Sequence, residues 1–582
     1  MTAPIRTVDE SLARLRGELV ELYGTEDAAE VEAIVETVRG RATSSPAPRT
    51  PARTWSQRDA VLITYGDQIQ APGEPPLRVL HRFLRKRLSG LVSAVHLLPI
   101  SPWSSDDGFA VVDFDRVDPA LGDWGDVRRI ARDFEVMLDV VLNHTSAKSP
   151  WLAGFLAGDP EFRGHYVEVA AGTDLAGVVR PRAKPLLTIF DGPAGRRLLW
   201  TTFSSDQVDL NYRNPRVLHR ILDVILGDLD RGATFLRLDA VGYAWKEPGT
   251  SCLNLPGAHH LVRAIRAAVD AVAPGAAIVT ETNVPQHENV AYFGDGAPEA
   301  QVVYQFSLPP LVLHALLFGT AKHLARWIDS LAPPPPGCAF LNMLATHDGI
   351  GLMPATGLLS DAEISDTVDG VLAHGGLVSM RDTRTGPRPY ELNSTLFDAL
   401  SDPAANGPYA ERRAVGRHLA ANAVMLMLAG IPGVYVHSLF GTSNDRGGAD
   451  ATGIPRRINR RRFGEQEILA ELAAPRSRAA AIFDGFERLL RARASHAAFR
   501  PDSPQCVLDA PEGILAVERG STATGRVQCL VNLTSHAAAF PVPEARLDLL
   551  SGVPIPSGSL RLEPYDLVWL ADPGTRSSPP RR

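Results

Sequence analysis

The chain shows two hydrophobic periods, and each predicts a different kind of element. Within residues 5–40, apolar side chains recur every three or four positions, at Leu12, Leu15, Leu19 and Leu22, which predicts helix. Beyond about residue 55 the pattern changes to short apolar, β-branched runs separated by helical segments. The runs are, in order, Val61–Tyr65, Val95–Ile100, Val136–Leu142, Phe235–Val241, Ile278–Thr282, Val302–Phe306, Phe340–Leu344 and Val434–Val436. Eight buried strands that alternate with helices predict an α/β fold in which a parallel sheet closes into a (β/α)8 barrel.

Shifts in composition indicate how the rest of the chain is organised around this barrel. A Ser/Pro/Arg stretch at Thr43–Arg53 indicates a linker, and the gaps after the third and seventh runs are too long for ordinary loops. After about Asp502, apolar and polar residues alternate in short segments that are separated by turn residues, which predicts a small antiparallel β domain. We therefore expect an N-terminal helical extension and linker (1–50), three parts of the barrel (51–144, 232–348 and 431–501), an inserted B-type domain (145–231), an inserted loop region for acceptor and phosphate (349–430) and a C-terminal β domain (502–582).

Composition and charge narrow the classes of partner. The 582 residues are 45% hydrophobic and 21% charged, with a net charge of -7, so no basic face for nucleic acid is indicated. Four cysteines without CxxC spacing argue against a zinc site or a disulfide framework, and no carboxylates show EF-hand spacing, so we expect no metal. No apolar leader or run of ~20 apolar residues is present, so we expect a cytoplasmic protein that does not bind membranes.

Two carboxylates follow neighbouring strand runs, at the end of a barrel where chemistry collects. Asp239 ends the fourth run, and Arg237 points to the same side of that strand because side chains alternate. Arg237 is expected to lower the pKa of Asp239 and keep it ionised, which suits a nucleophile. Glu281 ends the fifth run, and a carboxylate pair of this kind is what glycosidic bond cleavage needs. The alternatives are a structural ion pair for Arg237 and Asp239, and a solvated strand-end residue for Glu281.

Two further strand ends carry polar pairs. His347 and Asp348 close the seventh run, where a third carboxylate could stabilise an oxocarbenium-like transition state. Asn143 and His144 close the third run, where a neutral histidine could donate to a sugar hydroxyl. The alternative for each histidine is a buried core residue whose hydrogen bonds are made within the fold.

These four strings, in this order, resemble the sequence regions of the α-amylase superfamily, glycoside hydrolase family 13, from about Trp55 to the C-terminus. The resemblance implies that Asp239 is the nucleophile, Glu281 the acid/base and Asp348 the transition-state stabiliser. It also implies that four residues beside them bind the sugar: Asn143, His144, Arg237 and His347.

Flanking strings resemble the sucrose phosphorylase branch of that family, among them Ser105-Asp106-Asp107-Gly108-Phe109 and Arg180-Pro181-Arg182. The resemblance implies that Asp106 and Arg456 clamp the non-reducing end of a single glucose. It further implies that Arg182 and Tyr390 bind phosphate. We therefore expect inorganic phosphate as a co-substrate and no cofactor.

The chain departs from true sucrose phosphorylases at three positions on the acceptor side. Val179 stands where they carry tyrosine, Asn283 where they carry histidine, and Glu391 where they carry glutamine. With these residues the chain looks most like glucosylglycerate phosphorylases, which implies that the acceptor side, including Asn283, Glu391 and by position Lys184 and Gln286, faces glycerate.

We expect a phosphorylase that converts glucosylglycerate and phosphate to α-glucose 1-phosphate and glycerate, working as a monomer or homodimer. Three alternatives stay open at this stage. One is a sucrose or sucrose 6'-phosphate phosphorylase, the second an α-glucoside hydrolase or transglucosylase, and the third a non-catalytic sugar-binding barrel. Phosphate dependence separates the hydrolase from the phosphorylases.

Overall fold

The computed structural model describes residues 6–44, 53–170, 172–181, 184–383, 386–405 and 407–573, and it is built around a closed parallel barrel. We number the barrel strands β1 (Val61–Thr64), β2 (Ala94–Leu97), β3 (Glu135–Val140), β4 (Ala233–Leu238), β5 (Ala277–Thr280), β6 (Val302–Tyr304), β7 (Ala339–Met343) and β8 (Ile431–Tyr435). Each strand pairs with its neighbour in chain order, and β8 pairs with β1. The predicted (β/α)8 barrel is confirmed, although most of the strands stop before the predicted runs do.

Helices cover the outside of the barrel. The longer ones are Pro76–Arg87, Trp124–Asp133, Pro215–Asp230, Pro256–Val272, Leu308–Phe318, Lys322–Ser330, Pro408–Met427 and Arg478–Ser495. Several begin with proline, whose fixed φ and missing N–H suit the first helical turn. Their apolar faces pack on strands that are themselves largely buried.

The N-terminal segment forms two helices, Val8–Tyr23 and Ala28–Ser44. The predicted helical spacing is confirmed, because Leu12, Leu15 and Leu19 are buried on one face. That face packs on the barrel helix Pro256–Val272. The extension is therefore part of the hydrophobic core, on the outside of the barrel.

Two insertions stand at the carboxyl ends of the strands. After β3 the chain forms the helix Pro150–Ala157, the hairpin Leu187–Gly192 with Gly195–Trp200, and a short pair of His144–Ser146 with Gln207–Asp209. After β7 it forms a three-stranded antiparallel sheet and two helices, made of Ile350–Gly351, Leu377–Thr383, Gly386–Asn393, Asp361–Ala373 and Leu396–Ala399. These segments build the walls above the barrel.

The loop after β8 and the C-terminal region complete the fold. The loop holds Val436–Phe440, Arg446–Thr452, a 3₁₀ turn at Pro455–Asn459 and the helix Glu465–Ala473. Beyond it lies a mainly antiparallel β region of Gln505–Val507, Ile514–Ser521, Gly525–Asn532, Ala538–Val542, Arg546–Asp548, Pro554–Ile555, Gly558–Leu562 and Leu567–Ala571. Across the part of the chain that the structure describes, every helix is too short or too polar to cross a bilayer.

Candidate active site

Arg237 lies at the centre of the charged groups in the barrel mouth. It is the inward-facing residue next to the end of β4, and it is 2% exposed. Its Nη1 donates to Asp239 Oδ1 at 2.9 Å, and its Nη2 lies 3.9 Å from Glu281 Oε1. One guanidinium therefore bridges the two carboxylates that follow β4 and β5. The structure brings together the pair expected from the sequence.

A third carboxylate, Asp139, holds Arg237 from below and was not predicted from the sequence. Asp139 lies opposite Arg237 in the parallel register of β3 and β4 and accepts a hydrogen bond from it. Its other oxygen is 2.9 Å from His96 Nε2 on β2. Burial alone would raise the pKa of Asp139, but Arg237 and His96 outweigh it and lower that pKa to about 2. Arg237 is thus fixed by a permanent anion before any substrate binds.

Arg237 lowers the pKa of Asp239, as expected, but other contributions outweigh it, so the expected net lowering is wrong. Burial raises the pKa of the Asp239 carboxyl well above its ordinary value, and although Arg237 opposes this, the charge of Glu281 adds to it. Burial also raises the pKa of Glu281, again against Arg237. Two such groups share protons as a pair. Because Arg237 is closer to Asp239 than to Glu281, the remaining negative charge is favoured on Asp239.

Glu281 is also held by the backbone. The N–H of Ala240, which has a left-handed φ of 49°, donates to Glu281 Oε2 at 3.0 Å. Its other oxygen, Oε1, lies on the side of Arg237, where a proton could be passed to a leaving group.

Asp348 follows β7 and meets two arginines. Arg456 Nη1 lies 2.5 Å from Asp348 Oδ1, and Arg460 Nη2 lies 3.7 Å from the same atom. Burial would raise the pKa of Asp348, but Arg456 and Arg460 lower it well below its usual range. Burial lowers the pKa of His347 itself to about 3, so this imidazole is neutral, and it stacks on Phe109 at 4.7 Å. Asp348 is thus the carboxylate that stays ionised.

Asp106 and Arg456, the two residues expected to clamp glucose, line one pocket but have partners within the protein. Asp106 accepts a hydrogen bond from Gln207 Nε2 at 3.2 Å, whereas Arg456 is bound to Asp348 and Glu391. The adjacent Asp107 pairs with Arg457 and Arg460, two cations that the sequence analysis did not select. Asp106 and Asp107 both adopt left-handed backbone conformations, with φ of 54° and 51°. This turn sends the two carboxylates to different partners.

His144 and Asn143 connect the barrel to its first insertion. His144 Nε2 lies 2.9 Å from the carbonyl oxygen of Phe109, and burial lowers the pKa of this imidazole. Asn143 Oδ1 accepts from Lys246 Nζ at 2.6 Å, and the same ammonium lies 2.6 Å from Asp209 in the insertion. This buried lysine and aspartate tie two chain segments together, and neither was predicted from the sequence.

The acceptor-side residues line the same pocket, and Glu391 has a specific partner. Arg456 donates to both of its oxygens, from Nε at 2.9 Å and from Nη2 at 2.6 Å. Tyr390 is half-buried, and its partial removal from water raises the pKa of its hydroxyl. Asn283 stands close to Gly351, where an added Cβ would lie 2.5 Å from its amide group, so a larger residue there would displace the Asn283 side chain.

Ten of the predicted site residues line this single pocket: Asp106, His144, Asp239, Glu281, Asn283, His347, Asp348, Tyr390, Glu391 and Arg456. Arg237 lies beneath its floor, and Lys184 lines an adjoining pocket. Gln286 accepts from Ser307 at 3.3 Å. Arg182 lies outside the described residues.

Comparison with known proteins agrees with this geometry. Residues 88–323 match the family model of the α-amylase catalytic domain. The chain is 51% identical to a glucosylglycerate phosphorylase of Allomeiothermus silvanus, over 89% of this chain and 92% of the relative. The chain belongs to glycoside hydrolase family 13, the α-amylase family. It is also 44% identical to a glucosylglycerate phosphorylase of Spirochaeta thermophila, over 96% of this chain and 99% of that protein.

The structure of a sucrose 6F-phosphate phosphorylase from Thermoanaerobacter thermosaccharolyticum has the same fold. It superposes with a TM-score of 0.71 over 82% of this chain and 94% of that one, at 24% identity. The resemblance stated from the sequence motifs is therefore confirmed at the level of the family. The two relatives named above are glucosylglycerate phosphorylases. This is the branch of family 13 that Asn283 and Glu391 led us to expect.

Proposed function

We propose that this chain is a retaining glycoside phosphorylase that cleaves 2-O-α-D-glucosyl-D-glycerate with inorganic phosphate, giving α-D-glucose 1-phosphate and D-glycerate. The observation that carries the proposal is the Arg237 bridge between Asp239 and Glu281, in a chain 51% identical to a glucosylglycerate phosphorylase. Phosphate is the only co-substrate, and no cofactor takes part. The product is a charged sugar phosphate that does not cross membranes, which supports a cytoplasmic site of action.

Cleavage begins at the carboxylate pair. Asp239, the member of the pair nearer Arg237, attacks the anomeric carbon as the carbon–oxygen bond to glycerate breaks. Glu281 gives its proton to the glycerate oxygen, which is the role for which its raised pKa suits it. The result is a β-glucosyl ester on Asp239 and free glycerate.

The second displacement uses phosphate in place of water. A phosphate oxygen attacks the anomeric carbon from the opposite face, the ester bond to Asp239 breaks, and Glu281 regains a proton from phosphate. Asp348, held ionised by Arg456, stabilises positive charge on the glucosyl ring in both steps. On the family resemblance we assign Arg182 and Tyr390 to phosphate, and Asn283 to glycerate.

Incubation with α-glucose 1-phosphate and a panel of acceptors tests this function. The panel is D-glycerate, glycerol, fructose and fructose 6-phosphate, with phosphate release as the readout and Asp239→Asn as the inactive control. We expect release with D-glycerate alone. Release only with fructose 6-phosphate or fructose would overturn the acceptor and leave the mechanism. Hydrolysis of an α-glucoside without any need for phosphate would overturn the proposal that the chain is a phosphorylase.

A further inference from the structure

Three helices outside the barrel bring two histidines and a glutamate together, away from the pocket described above. His314 lies on Leu308–Phe318, His323 on Lys322–Ser330 and Glu363 on Asp361–Ala373. One ligand atom from each of the three lies within 4.8 Å of the others. Imidazole and carboxylate are the ligand types that Zn²⁺ takes in proteins.

The hydrogen bonds of His314 fix which of its ring nitrogens is free to bind a cation. The hydroxyl of Thr367 donates its single hydrogen to the backbone oxygen of Glu363 at 2.7 Å. It also lies 3.1 Å from His314 Nδ1, so there it must accept, and Nδ1 carries the proton. His314 Nε2 then keeps its lone pair. A second-shell partner that fixes the tautomer in this way is typical of metal-binding histidines.

Glu363 is oriented in a similar manner. Its Oε2 accepts from the backbone N–H of Ser360 at 2.8 Å and from the Ser360 hydroxyl at 2.7 Å, as part of a helix capping box. Its Oε1 lies 2.7 Å from His323 Nε2. The other ring nitrogen of His323, Nδ1, is buried without a hydrogen-bond partner among the described residues. The cluster therefore holds a carboxylate oxygen that directly faces His323 Nε2, the ring nitrogen on the side of the proposed ion.

We propose that His314, His323 and Glu363 bind one divalent transition-metal ion, Zn²⁺ being the ion that this ligand set favours, with water completing the coordination. Bonds of ~2.0–2.2 Å place tetrahedral ligand atoms about 3.3 Å apart. His323 Nε2 and Glu363 Oε1, now 2.7 Å apart, would therefore separate slightly, and His314 would approach them by up to about 1.5 Å. Glu363 can supply much of this movement because its side chain is 32% exposed.

The position of the cluster indicates what the ion does. The helix that carries Glu363 belongs to the insertion after β7, whereas both histidines belong to helices of the barrel wall. The same insertion carries Tyr390 and Glu391 on the strand Gly386–Asn393. The ion joins this insertion to the barrel, and it stabilises the fold without taking part in the chemistry.

Metal binding by the full chain tests the inference independently of activity. Protein stripped with EDTA is equilibrated with Zn²⁺, bound metal is counted by elemental mass spectrometry, and Tm is measured by fluorimetry. We expect one equivalent of bound Zn²⁺ and a rise in Tm. His314→Ala with His323→Ala should lose both effects, whereas His287→Ala, an exposed histidine, should keep them. Equal Zn²⁺ uptake in the double variant, or no uptake by the wild type, would overturn the proposal.

Two further measurements keep the test decisive if the double variant folds poorly. Glu363→Gln preserves an oxygen for the capping box and removes the charge, so it should weaken Zn²⁺ binding at least tenfold. Co²⁺ added to the wild type should give the strong visible absorption of a four-coordinate nitrogen and oxygen site. A weak spectrum like that of hydrated Co²⁺, or unchanged affinity in Glu363→Gln, would contradict the site.

Discussion

The bidentate pair of Glu391 and Arg456 allows a sharp test of how the acceptor side of the pocket works. Glu391 is 2% exposed, and both of its oxygens are taken up by Arg456, whose remaining Nη1 reaches Asp348. This geometry makes Glu391 a positioning residue, which acts by holding the guanidinium against Asp348. The informative change is Glu391→Gln, because it keeps the shape and removes the charge.

The size of the effect follows from the two hydrogen bonds. Glutamine offers one acceptor oxygen, so one charge-assisted bond is lost, and such a bond contributes about 1.5–3 kcal/mol. If about 2 kcal/mol of this is expressed in the transition state, kcat/KM for glucosylglycerate falls roughly 30-fold. The assay is the formation of α-glucose 1-phosphate at saturating phosphate. Glu544→Gln, an exposed change in the C-terminal β region, serves as the control and should have no effect.

A double-mutant cycle decides whether Glu391 acts through Arg456. In an Arg456→Ala background the Glu391 carboxylate has no partner, so Glu391→Gln should change kcat/KM by less than about twofold and should raise stability. The coupling energy should then equal the whole effect of Glu391→Gln in the wild type. If the two changes instead multiply, Glu391 contacts acceptor or phosphate directly, and the reasoning from its two bonds to Arg456 is refuted.

Two other predictions concern a buried acid and the phosphate loop. Burial raises the pKa of Asp228 from 3.8 to about 7, so the folded state binds more protons than the unfolded state between these values and loses stability as pH rises through them. Asp228→Asn should therefore raise the free energy of unfolding at pH 8 by up to about 4 kcal/mol, with a matching rise in Tm. At pH 4 the substitution should have little effect. Exposed Asp223→Asn is the control, and an equal shift at both pH values would contradict this account. Arg182→Ala should slow attack by phosphate more than formation of the glucosyl-enzyme in single-turnover experiments. Equal losses in both half-reactions would mean that Arg182 does not bind phosphate.

The barrel and its carboxylates could be predicted from the sequence because both depend on local order along the chain. Each apolar run becomes a strand, and a parallel barrel brings all the carboxyl ends of its strands to one face. Asp239, Glu281 and Asp348 each lie at or shortly after the carboxyl end of a run, so their meeting required no knowledge of distances. The N-terminal helices were predictable for the same reason, from the spacing of Leu12, Leu15 and Leu19.

Pairs made across the fold could not be predicted in this way. Lys246 and Asp209 are far apart in the chain, and only the return of the insertion to the end of β3 joins them. Asp139 did leave a signal, since it is the one charged residue within the run Val136–Leu142. A charge inside such a run requires a buried partner, and in parallel register that partner is Arg237. The sign of the Asp239 pKa shift was mispredicted because burial, unlike proximity in sequence, depends on the whole pocket.

The arginines after β8 show where the limit lies. Arg456, Arg457 and Arg460 stand within five residues, so residue type and spacing alone do not show which of them lines the pocket. The 3₁₀ turn Pro455–Asn459 separates them, because it directs Arg456 to Asp348 and Glu391 and directs Arg457 and Arg460 to Asp107. Arg460 nevertheless reaches within 3.7 Å of Asp348, so two cations rather than one keep this carboxylate ionised. In an Arg456→Ala variant we therefore expect Arg460 to keep Asp348 charged, so that the variant reports on the position of Asp348 more than on its protonation.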